Sequence, residues 1–349
     1  MTDGVDADRP SEKSALKTGP RIQDVARRAG VAIGTVSNVL NSPEKVTEQT
    51  RLRVQAAIAE LGFVRNSAAR TLAAKKTDTV GLVLVDIGNS LFVDIARGVE
   101  AATSRARLKL LLANSDVDRI KQDNYLALFD EARVAGVLLA PLDGSLEAAH
   151  AVQAHGRPVV LVNAPAAEAG MCSVMVNEEL GGYLAASHLL DQGARRLGYL
   201  AGFLKLKAVS ERLIGIKRAV GDRDARLLIF EGAGLQIAHG RELGRNVLRA
   251  ERLDGVVCPS DPLAIGVIQA ATELGIRVPE DLVVIGYDDN HFASESSIPV
   301  STVSKHGREM GEAAAQLLLA EMEERTSHDH RAVVLDPDLI SRRSTQRLH

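Results

Sequence analysis

The sequence predicts an α/β protein, with a small N-terminal head of three helices joined to a two-lobed core of parallel sheets. Three observations predict this fold. Apolar residues recur at helical spacing between residues 21 and 62, and short Val/Leu-rich strands alternate with amphipathic helices after residue 78. The length of 349 residues exceeds one ordinary core, which indicates two or three domains.

Two short helices around one glycine are predicted between Arg21 and Asn41. The first is indicated by apolar residues at positions i, i+3, i+4 and i+7, which are Ile22, Val25, Ala26 and Ala29. Gly30 ends this helix, and a second helix follows over Ile33–Leu40. The pattern is that of a helix-turn-helix, whose second helix lies in the major groove of DNA. A helix pair with no DNA role is the alternative.

A third helix, capped at Thr47 and ended by Gly62, completes a head that is strongly basic. Residues 21–76 hold ten Lys and Arg against four Asp and Glu, a net charge of +6, whereas the whole chain carries −3. The twenty residues before this segment hold three basic and four acidic residues, which leaves about −8 for the remainder. A potential that attracts phosphates is therefore confined to the head. An ordinary solvated charged face is the alternative interpretation.

The core follows from two series of strands with helices between them. The predicted strands are Val80–Val85, Leu108–Ala113, Gly136–Ala140 and Val159–Val162, then Leu197–Ala201, Leu227–Phe230, Gly255–Pro259 and Val283–Tyr287. The segments R-V-A-G-V-L-L-A-P from Arg133 and R-L-D-G-V-V-C-P from Arg252 repeat one order of residues. Two similar α/β lobes are predicted, with a ligand cleft at the carboxyl ends of the strands.

Composition bounds the remaining possibilities. No apolar run is long enough for a membrane span, and the first residues lack the layout of a secretory signal, so a cytoplasmic protein is expected. Cys172 and Cys258 stand in apolar surroundings, which predicts buried thiols rather than disulfides. His328 and His330 lack the spacing of helical metal ligands, and neither a metal nor a cofactor is expected.

Four segments carry a resemblance to a known family. They are D-V-A-R-R-A-G-V at Asp24–Val31, T-V-S-N-V-L-N at Thr35–Asn41, V-T-E-Q-T-R-L-R-V-Q-A-A-I-A-E-L-G-F at Val46–Phe63 and N-S-A-A-R-T-L-A at Asn66–Ala73, with further matches past Gly311. They resemble the lactose and galactose repressor family of bacterial transcription regulators. The resemblance covers nearly all of the chain except its first twenty and last few residues.

The resemblance implies a domain layout in which the core is like that of periplasmic sugar-binding proteins and the chain crosses between lobes three times. The expected parts are a disordered tail over residues 1–20, a helix-turn-helix DNA-binding domain over 21–65, a hinge helix over 66–77, a first lobe over 78–192 and 307–324, and a second lobe over 193–306 and 325–349.

Contacts with DNA are expected from the second helix. Base edges are expected to meet Ile33, Gly34 and Asn38, while Thr35 and Ser37 are available for phosphate oxygens. Many relatives have an arginine where this chain has Asn38, and asparagine pairs with adenine whereas arginine pairs with guanine. We therefore predict a half-site that differs at that base. Asn38 as a solvated helix residue is the alternative.

The segment after the head resembles the family's hinge helix, which forms on specific DNA. Its Leu72 matches the leucine that enters the minor groove and kinks the duplex. Asn66 opens the hinge, and Arg65 replaces a proline common in relatives and adds an expected phosphate contact. The resemblance thus predicts that Asn66 and Leu72 bind DNA, and Arg65 is expected to bind it as a departure from the family pattern.

Effector-binding residues are expected where strands end, and they are Asn89, Ser90, Phe92, Asn163, Arg212, Asp261 and Asp288. Arg212 and Asp288 match positions that relatives use to hold polar groups of the ligand. A helix N-cap is the alternative role of Asp261. Asp289 is alternatively paired within its own loop.

Two features of the sequence bear on the chemistry of the ligand. Because the chain contains no Trp, a stacking platform for a sugar must come from Phe92, Phe203 or Tyr287. If the segment from Gly202 borders the cleft, Lys205 and Lys207 favour an anionic ligand.

These observations predict a homodimeric transcription regulator, most simply a repressor, that binds operator DNA under the control of a sugar or related metabolite. A soluble metabolite-binding protein without a DNA role is the alternative. No catalytic or phosphate-binding motif is found, so an enzyme is not expected.

Overall fold

The structure is a computed structural model that describes residues 20–63, 77–142, 146–165, 170–324 and 328–347. The chain divides into two compact units, a head up to Lys76 and a core from Thr77. The tail predicted over residues 1–20 lies outside the described residues except for Pro20, and so does nearly all of the predicted hinge.

The head consists of three helices, α1 (Ile22–Ala29), α2 (Ile33–Asn41) and α3 (Glu48–Leu61), with a 3-10 turn at Pro43–Lys45. Gly30 ends α1 with φ of +63°, a left-handed conformation that favours glycine. The apolar residues of the three helices form one small core: Val25, Ala26, Ala29, Val36, Val39, Val54 and Ala57. The predicted helix-turn-helix and third helix are present.

The core has twelve strands and nine helices within the described residues. The strands are β1 (Thr79–Leu84), β2 (Lys109–Asn114), β3 (Val137–Leu139), β4 (Val159–Val162), β5 (Cys172–Val176), β6 (Arg196–Gly202), β7 (Arg226–Glu231), β8 (Gly255–Val257), β9 (Val283–Ile285), β10 (Thr302–Ser304), β11 (Ala332–Leu335) and β12 (Asp338–Ile340). The helices are α4 (Ser90–Arg105), α5 (Arg119–Glu131), α6 (Glu147–Ala154), α7 (Glu178–Asp191), α8 (Lys207–Gly221), α9 (Ile237–Ala250), α10 (Asp261–Glu273), α11 (His291–Glu295) and α12 (Gly307–Glu324).

Two parallel sheets define the two lobes and confirm the predicted α/β class. The first sheet has the order β11-β5-β4-β3-β1-β2, and the second has the order β7-β6-β8-β9. The apolar faces of α4 and α12 cover the first sheet, while α7 and α8 cover the second. A separate antiparallel pair, β10 with β12, lies beside the second lobe. The chain crosses between lobes after β5, after β10 and after β11.

Two of the expected lobe boundaries differ from the structure. Helix α7 was expected in the first lobe, but its Ala185 and Leu189 pack with Tyr199 in the core of the second lobe. Segment 325–349 was expected wholly in the second lobe, but β11 pairs with β5 in the first sheet, with Val333 opposite Val174. Both differences have one cause, since strand β5 and the crossing that follows it were not predicted.

Cys172 and Cys258 are free and buried, as their surroundings predict. None of the described helices combines the length and the apolar character that crossing a membrane requires.

Candidate functional site

The exposed face of α2 carries the residues that were predicted to contact bases. Ile33 is 47% exposed and Asn38 is also exposed, while Val36, which packs in the core of the head, is fully buried. Thr35 and Ser37 are half-buried along the edges of this face. The helix therefore presents an apolar and an amide side chain on one surface, a combination suited to a thymine methyl group and an adenine edge.

Gly34 lies on the same face, in the first turn of α2. A Cβ atom at this position would meet no atom of the protein within 4 Å. The packing of the head therefore does not require glycine, although glycine costs an exposed helix about 1 kcal/mol relative to alanine. The other predicted DNA contacts, Arg65, Asn66 and Leu72, lie outside the described residues.

Four charged residues meet where the chain first crosses between the lobes, and we call them the junction cluster: Glu178, Arg212, Asp288 and Lys305. The Arg212 Nε donates to Glu178 Oε2 at 2.7 Å, and the Lys305 ammonium lies 2.7 Å from Glu178 Oε1. Asp288 Oδ1 is farther away, 3.8 Å from Arg212 and 4.0 Å from Lys305. All four side chains are at least nine-tenths buried.

Packing holds the Arg212 side chain in one position. Its NH1 group donates to the Pro259 carbonyl at 2.6 Å, and its guanidinium lies over the Tyr287 ring at 3.6 Å from the centroid. Helices α7 and α8 touch at Gly182, where a Cβ atom would stand only 2.0 Å from the Arg212 carbonyl oxygen. This close crossing places Arg212 beside the first residue of α7, which is Glu178.

Glu178 and Arg212 stabilise each other's charge within the junction cluster. Burial acts to raise the pKa of Glu178, but Arg212 and Lys305 outweigh it and lower that pKa to about 2. Burial acts to lower the pKa of Arg212, and Glu178 more than offsets it. Glu178 and Arg212 therefore stay charged at physiological pH. The cluster serves as a rigid ionic joint rather than as an acid or base.

Hydrogen bonds join the two lobes at the edge of the cleft. Asn89, the N-cap of helix α4, donates from Nδ2 to Asp288 Oδ2 at 3.1 Å. Ser90 donates to Asn290 Oδ1 from both its backbone nitrogen, at 3.0 Å, and its hydroxyl, at 2.9 Å. Asp288 has φ of +93°, a conformation rare outside glycine, and this turn aims its carboxylate at the first lobe. Three of the predicted effector residues therefore lie together.

A cavity of about 190 Å³ lies next to this edge and is lined from both lobes. Its polar lining comes from Asn163 at the end of β4, from Glu178, and from Lys207 and Glu211 on α8. Apolar side chains complete it: Pro141, Leu142, Leu146, Leu161, Ala164, Pro165, Met175, Val176 and Ala208. Asn163 is thus the predicted effector residue that lines the cavity, whereas Arg212 and Asp288 lie behind Glu178 in the junction cluster.

Asp261 and Asp289 have partners other than those considered from the sequence. Ser260 is the N-cap of α10, so the interpretation of Asp261 as the cap is wrong. The Asp261 side chain is fully buried, its Oδ2 accepts from the backbone nitrogen of Asn290 at 2.7 Å, and burial raises its pKa well above the usual range. Asp289 does not pair within its loop, because Arg342 donates to its Oδ1 at 2.7 Å.

None of the three rings considered for stacking is among the residues that line the cavity. Phe92 is buried in the core of the first lobe, and Tyr287 is covered by Arg212. Phe203 is exposed, and Lys205 is likewise absent from the lining. Of the two lysines considered for ligand binding, only Lys207 borders the cavity.

Both the head and the core are similar to known protein families. Residues 21–66 match the family of bacterial regulatory proteins called the lacI family, and residues 186–345 match the periplasmic binding protein-like domain. Over 339 residues the chain is 31% identical to the HTH-type transcriptional repressor PurR of Vibrio vulnificus, covering 94% of this chain and 99% of the relative. The chain belongs to the LacI family.

Further LacI-family proteins share its full length. The ribose operon repressor of Haemophilus influenzae is 31% identical over 332 residues, covering 93% of this chain and 98% of the relative. The solved complex of the transcriptional regulator CelR with cellobiose is 30% identical, with a TM-score of 0.70 over 93% of this chain and 99% of that one. The head is therefore the DNA-binding domain of a transcription regulator, and the core is its effector-binding domain.

Sequence reasoning missed several residues of this LacI-family core. Glu178 and Lys305 are separated by more than a hundred residues, and each stands near a helix start. Asn290 and Glu211 stand next to or near the predicted Asp288 and Arg212, but neither was itself predicted. Their roles arise only when the crossings between lobes bring them together, so no local pattern pointed to them.

Proposed function

We propose that this chain is a homodimeric repressor whose affinity for operator DNA is set by a small polar metabolite, a sugar or related compound, bound between the lobes. The observation that carries the proposal is the cavity of about 190 Å³ lined from both lobes, beside hydrogen bonds that join them. A ligand that contacts both lobes binds one arrangement of the lobes better than another, and that preference is what couples it to DNA. The relatives named above are transcriptional repressors, and the proposal includes no catalytic step.

The cavity favours a neutral ligand with hydroxyl groups. Lys207 lies 3.8 Å from Glu211, so the one cation of the lining already has a carboxylate partner. Both oxygens of the Glu178 carboxylate already have cationic partners, Arg212 and Lys305. Asn163 offers an amide that donates and accepts, as hydroxyl recognition requires. An anionic ligand would have to displace Glu211 from Lys207.

Isothermal titration with matched neutral and phosphorylated sugars tests this assignment. We expect the neutral member of a pair to bind more tightly, and Asn163→Ala to weaken it at least tenfold. Lys205→Ala is the matched control, since Lys205 does not line the cavity. Tighter binding of the phosphorylated member would instead support the anionic ligand that the two lysines suggested.

On the DNA side, we propose that Ile33, Gly34 and Asn38 meet base edges and that Thr35 and Ser37 meet phosphates. Asn38→Arg is expected to change the preferred base from adenine to guanine in a selection from random duplexes, because the two side chains match different acceptor patterns. Gln23→Arg makes the same charge change on an exposed position of α1. That control is expected to alter affinity without altering the preferred base, and an unchanged preference in Asn38→Arg would contradict the role.

The hinge residues are proposed on the resemblance of their segment. Leu72 is proposed to enter the minor groove, with Arg65 and Asn66 on the flanking backbone. Leu72→Ala is expected to reduce binding to the selected operator far more than binding to random duplex, because the kink is formed only on specific DNA. Equal losses on both duplexes would reject this role.

The whole proposal is tested by selecting duplexes with the full-length chain and repeating the binding with candidate metabolites. We expect a pseudopalindromic site, a molar mass in solution of two chains, and a ligand that changes operator affinity. A chain that binds a metabolite but prefers no duplex would be a metabolite-binding protein without a DNA role.

A further inference from the structure

Four side chains with metal-binding atoms converge in the first lobe, away from the cleft, and we call them the thiol–histidine cluster: Cys172, Glu321, His328 and His330. Their donor atoms all lie within 4.8 Å of one another. The Cys172 Sγ is 3.1 Å from His328 Nε2 and 3.9 Å from His330 Nδ1. Around a tetrahedral ion with bonds of about 2.0 to 2.3 Å, neighbouring donor atoms stand about 3.5 Å apart.

Neighbouring groups orient two of these ligands. Glu324 Oε2 lies 2.6 Å from His328 Nδ1, which leaves His328 Nε2 facing the sulfur. The backbone nitrogen of Arg331 donates to Cys172 Sγ at 3.3 Å. A carboxylate behind a histidine and an N–H group on a sulfur are the outer contacts that position ligands in metal sites.

Glu321 supplies the independent sign of a missing cation. Its side chain is about nine-tenths buried, and Oε2 accepts no hydrogen bond from any described residue. The nearest basic atom, His330 Nδ1, is 4.0 Å away, which is too far for a hydrogen bond. A buried carboxylate without a partner is costly, and a bound cation removes that cost.

We propose that the thiol–histidine cluster binds one zinc ion. Thiolate and imidazole ligands select zinc over magnesium or calcium, which prefer oxygen. One thiolate and one carboxylate balance the two positive charges of the ion, and both histidines bind neutral. Four protein ligands complete a tetrahedral shell, which is the mark of a structural rather than a catalytic site.

The position in the fold agrees with a structural role. Cys172 begins β5, His330 precedes β11, and Glu321 lies in the last turns of α12. The ion therefore fastens together the amino ends of two paired strands and the helix that covers them, at the edge of the sheet opposite the cleft. Sequence reasoning gave no metal site here, because the two histidines alone lack ligand spacing and the other two ligands come from distant segments.

Titration of the tag-free, full-length chain with cobalt(II) and zinc tests the proposal after metal has been removed with a chelator. We expect one equivalent per chain, a thiolate-to-cobalt charge-transfer band, and displacement of cobalt by zinc. Cys172→Ser is expected to abolish the band, while Cys258→Ser, at the other buried thiol, keeps it. His328→Gln and Glu321→Gln are expected to weaken zinc binding at least tenfold.

His155→Gln is the control for the histidines, since His155 is exposed on α6's C-terminal end and pairs with Asp130. Circular dichroism establishes that each variant is folded, and the wild-type titration stands even where a variant is not. No stoichiometric binding by the wild type would overturn the proposal, as would a charge-transfer band that survives in Cys172→Ser. Neither result depends on DNA or effector binding, so the proposed regulatory function is tested separately.

Discussion

The junction cluster and the thiol–histidine cluster both bury a glutamate, but they neutralise it in different ways. Glu178 meets two cations of the protein, so although burial acts against the charge, its pKa falls to about 2. Glu321 meets no Lys or Arg within its cluster, and burial raises its pKa, with only a partial offset from His330 and His328. Burial therefore raises the pKa of a glutamate unless cationic partners outweigh it, as they do at Glu178. One cluster is complete within the protein, and the other has room for a cation from solution.

The largest effect on the free energy of unfolding is expected from a substitution of Glu178. Glu178→Gln leaves Arg212 and Lys305 buried with only the more distant carboxylate of Asp288. Breaking a buried ion pair costs about 3 to 5 kcal/mol. Urea unfolding followed by circular dichroism measures this loss. The matched control is Glu179→Gln, because Glu179 is the next residue and its ion pair with Arg218 is exposed. We expect the control to cost less than about 1 kcal/mol. Similar losses in the two variants would show that the junction cluster is not an ionic joint.

The next effect is a dependence on pH. The folded-state pKa of Glu178 lies below its ordinary value of 4.5, so its contribution to stability is fully present above pH 4.5 and is lost as pH falls toward 2. The size is on the order of 3 kcal/mol, at 1.36 kcal/mol per unit of pKa. In urea unfolding at a series of pH values, the gap between wild type and Glu178→Gln is therefore expected to narrow below pH 4.5. A constant gap down to pH 3 would mean that the carboxylate is not held charged.

At the thiol–histidine cluster the same substitution is expected to behave differently. Glu321→Gln removes no ion pair with Lys or Arg, so without metal it should change the free energy of unfolding by less than about 1 kcal/mol. With zinc at 100 times its dissociation constant, the wild type should gain about 2.7 kcal/mol while the variant at that concentration gains far less. Thermal unfolding with and without zinc measures both differences. A large loss of stability in the metal-free variant would show that Glu321, like Glu178, is stabilised by groups of the protein itself.

The sequence predicted the features of the structure that depend on residues close together in the chain. Helices α1 to α3 and strands β1 to β4 follow from apolar spacing within a few residues, and they were predicted to within one or two residues. Strand β5 and strand β11 were not, because each is short and they pair with each other across more than 150 residues. Because β5 was not predicted, α7 was assigned to the first lobe instead of the second.

The candidate sites follow the same rule. Asn89, Ser90 and Asp288 stand at predicted strand ends, and the structure brings them together at one edge of the cleft. Glu178 and Lys305 share no motif, and only the crossings between lobes make them neighbours. The thiol–histidine cluster assembles Cys172 and Glu321 with a histidine pair that seemed unable to bind metal alone. Local sequence patterns therefore locate the carboxyl ends of the strands. The partners of the buried charges follow only from the way the chain crosses between the lobes.

The smallest effect is expected where neutral groups join the lobes. Ser90→Ala removes the hydroxyl that donates to Asn290 Oδ1 at 2.9 Å and accepts from the backbone nitrogen of His291 at 3.0 Å, but it keeps the backbone bond to Asn290. A neutral hydrogen bond is worth about 1 kcal/mol, which is about a fivefold change in an equilibrium constant. Ser294→Ala is the matched control, because that hydroxyl bonds within the second lobe, to the His291 carbonyl. Because two hydrogen bonds are lost, urea unfolding should show a loss of up to about 2 kcal/mol for Ser90→Ala and a smaller one for the control. A loss at Ser90 as large as that at Glu178 would contradict the expectation that buried ion pairs contribute more to the free energy of unfolding than neutral hydrogen bonds do.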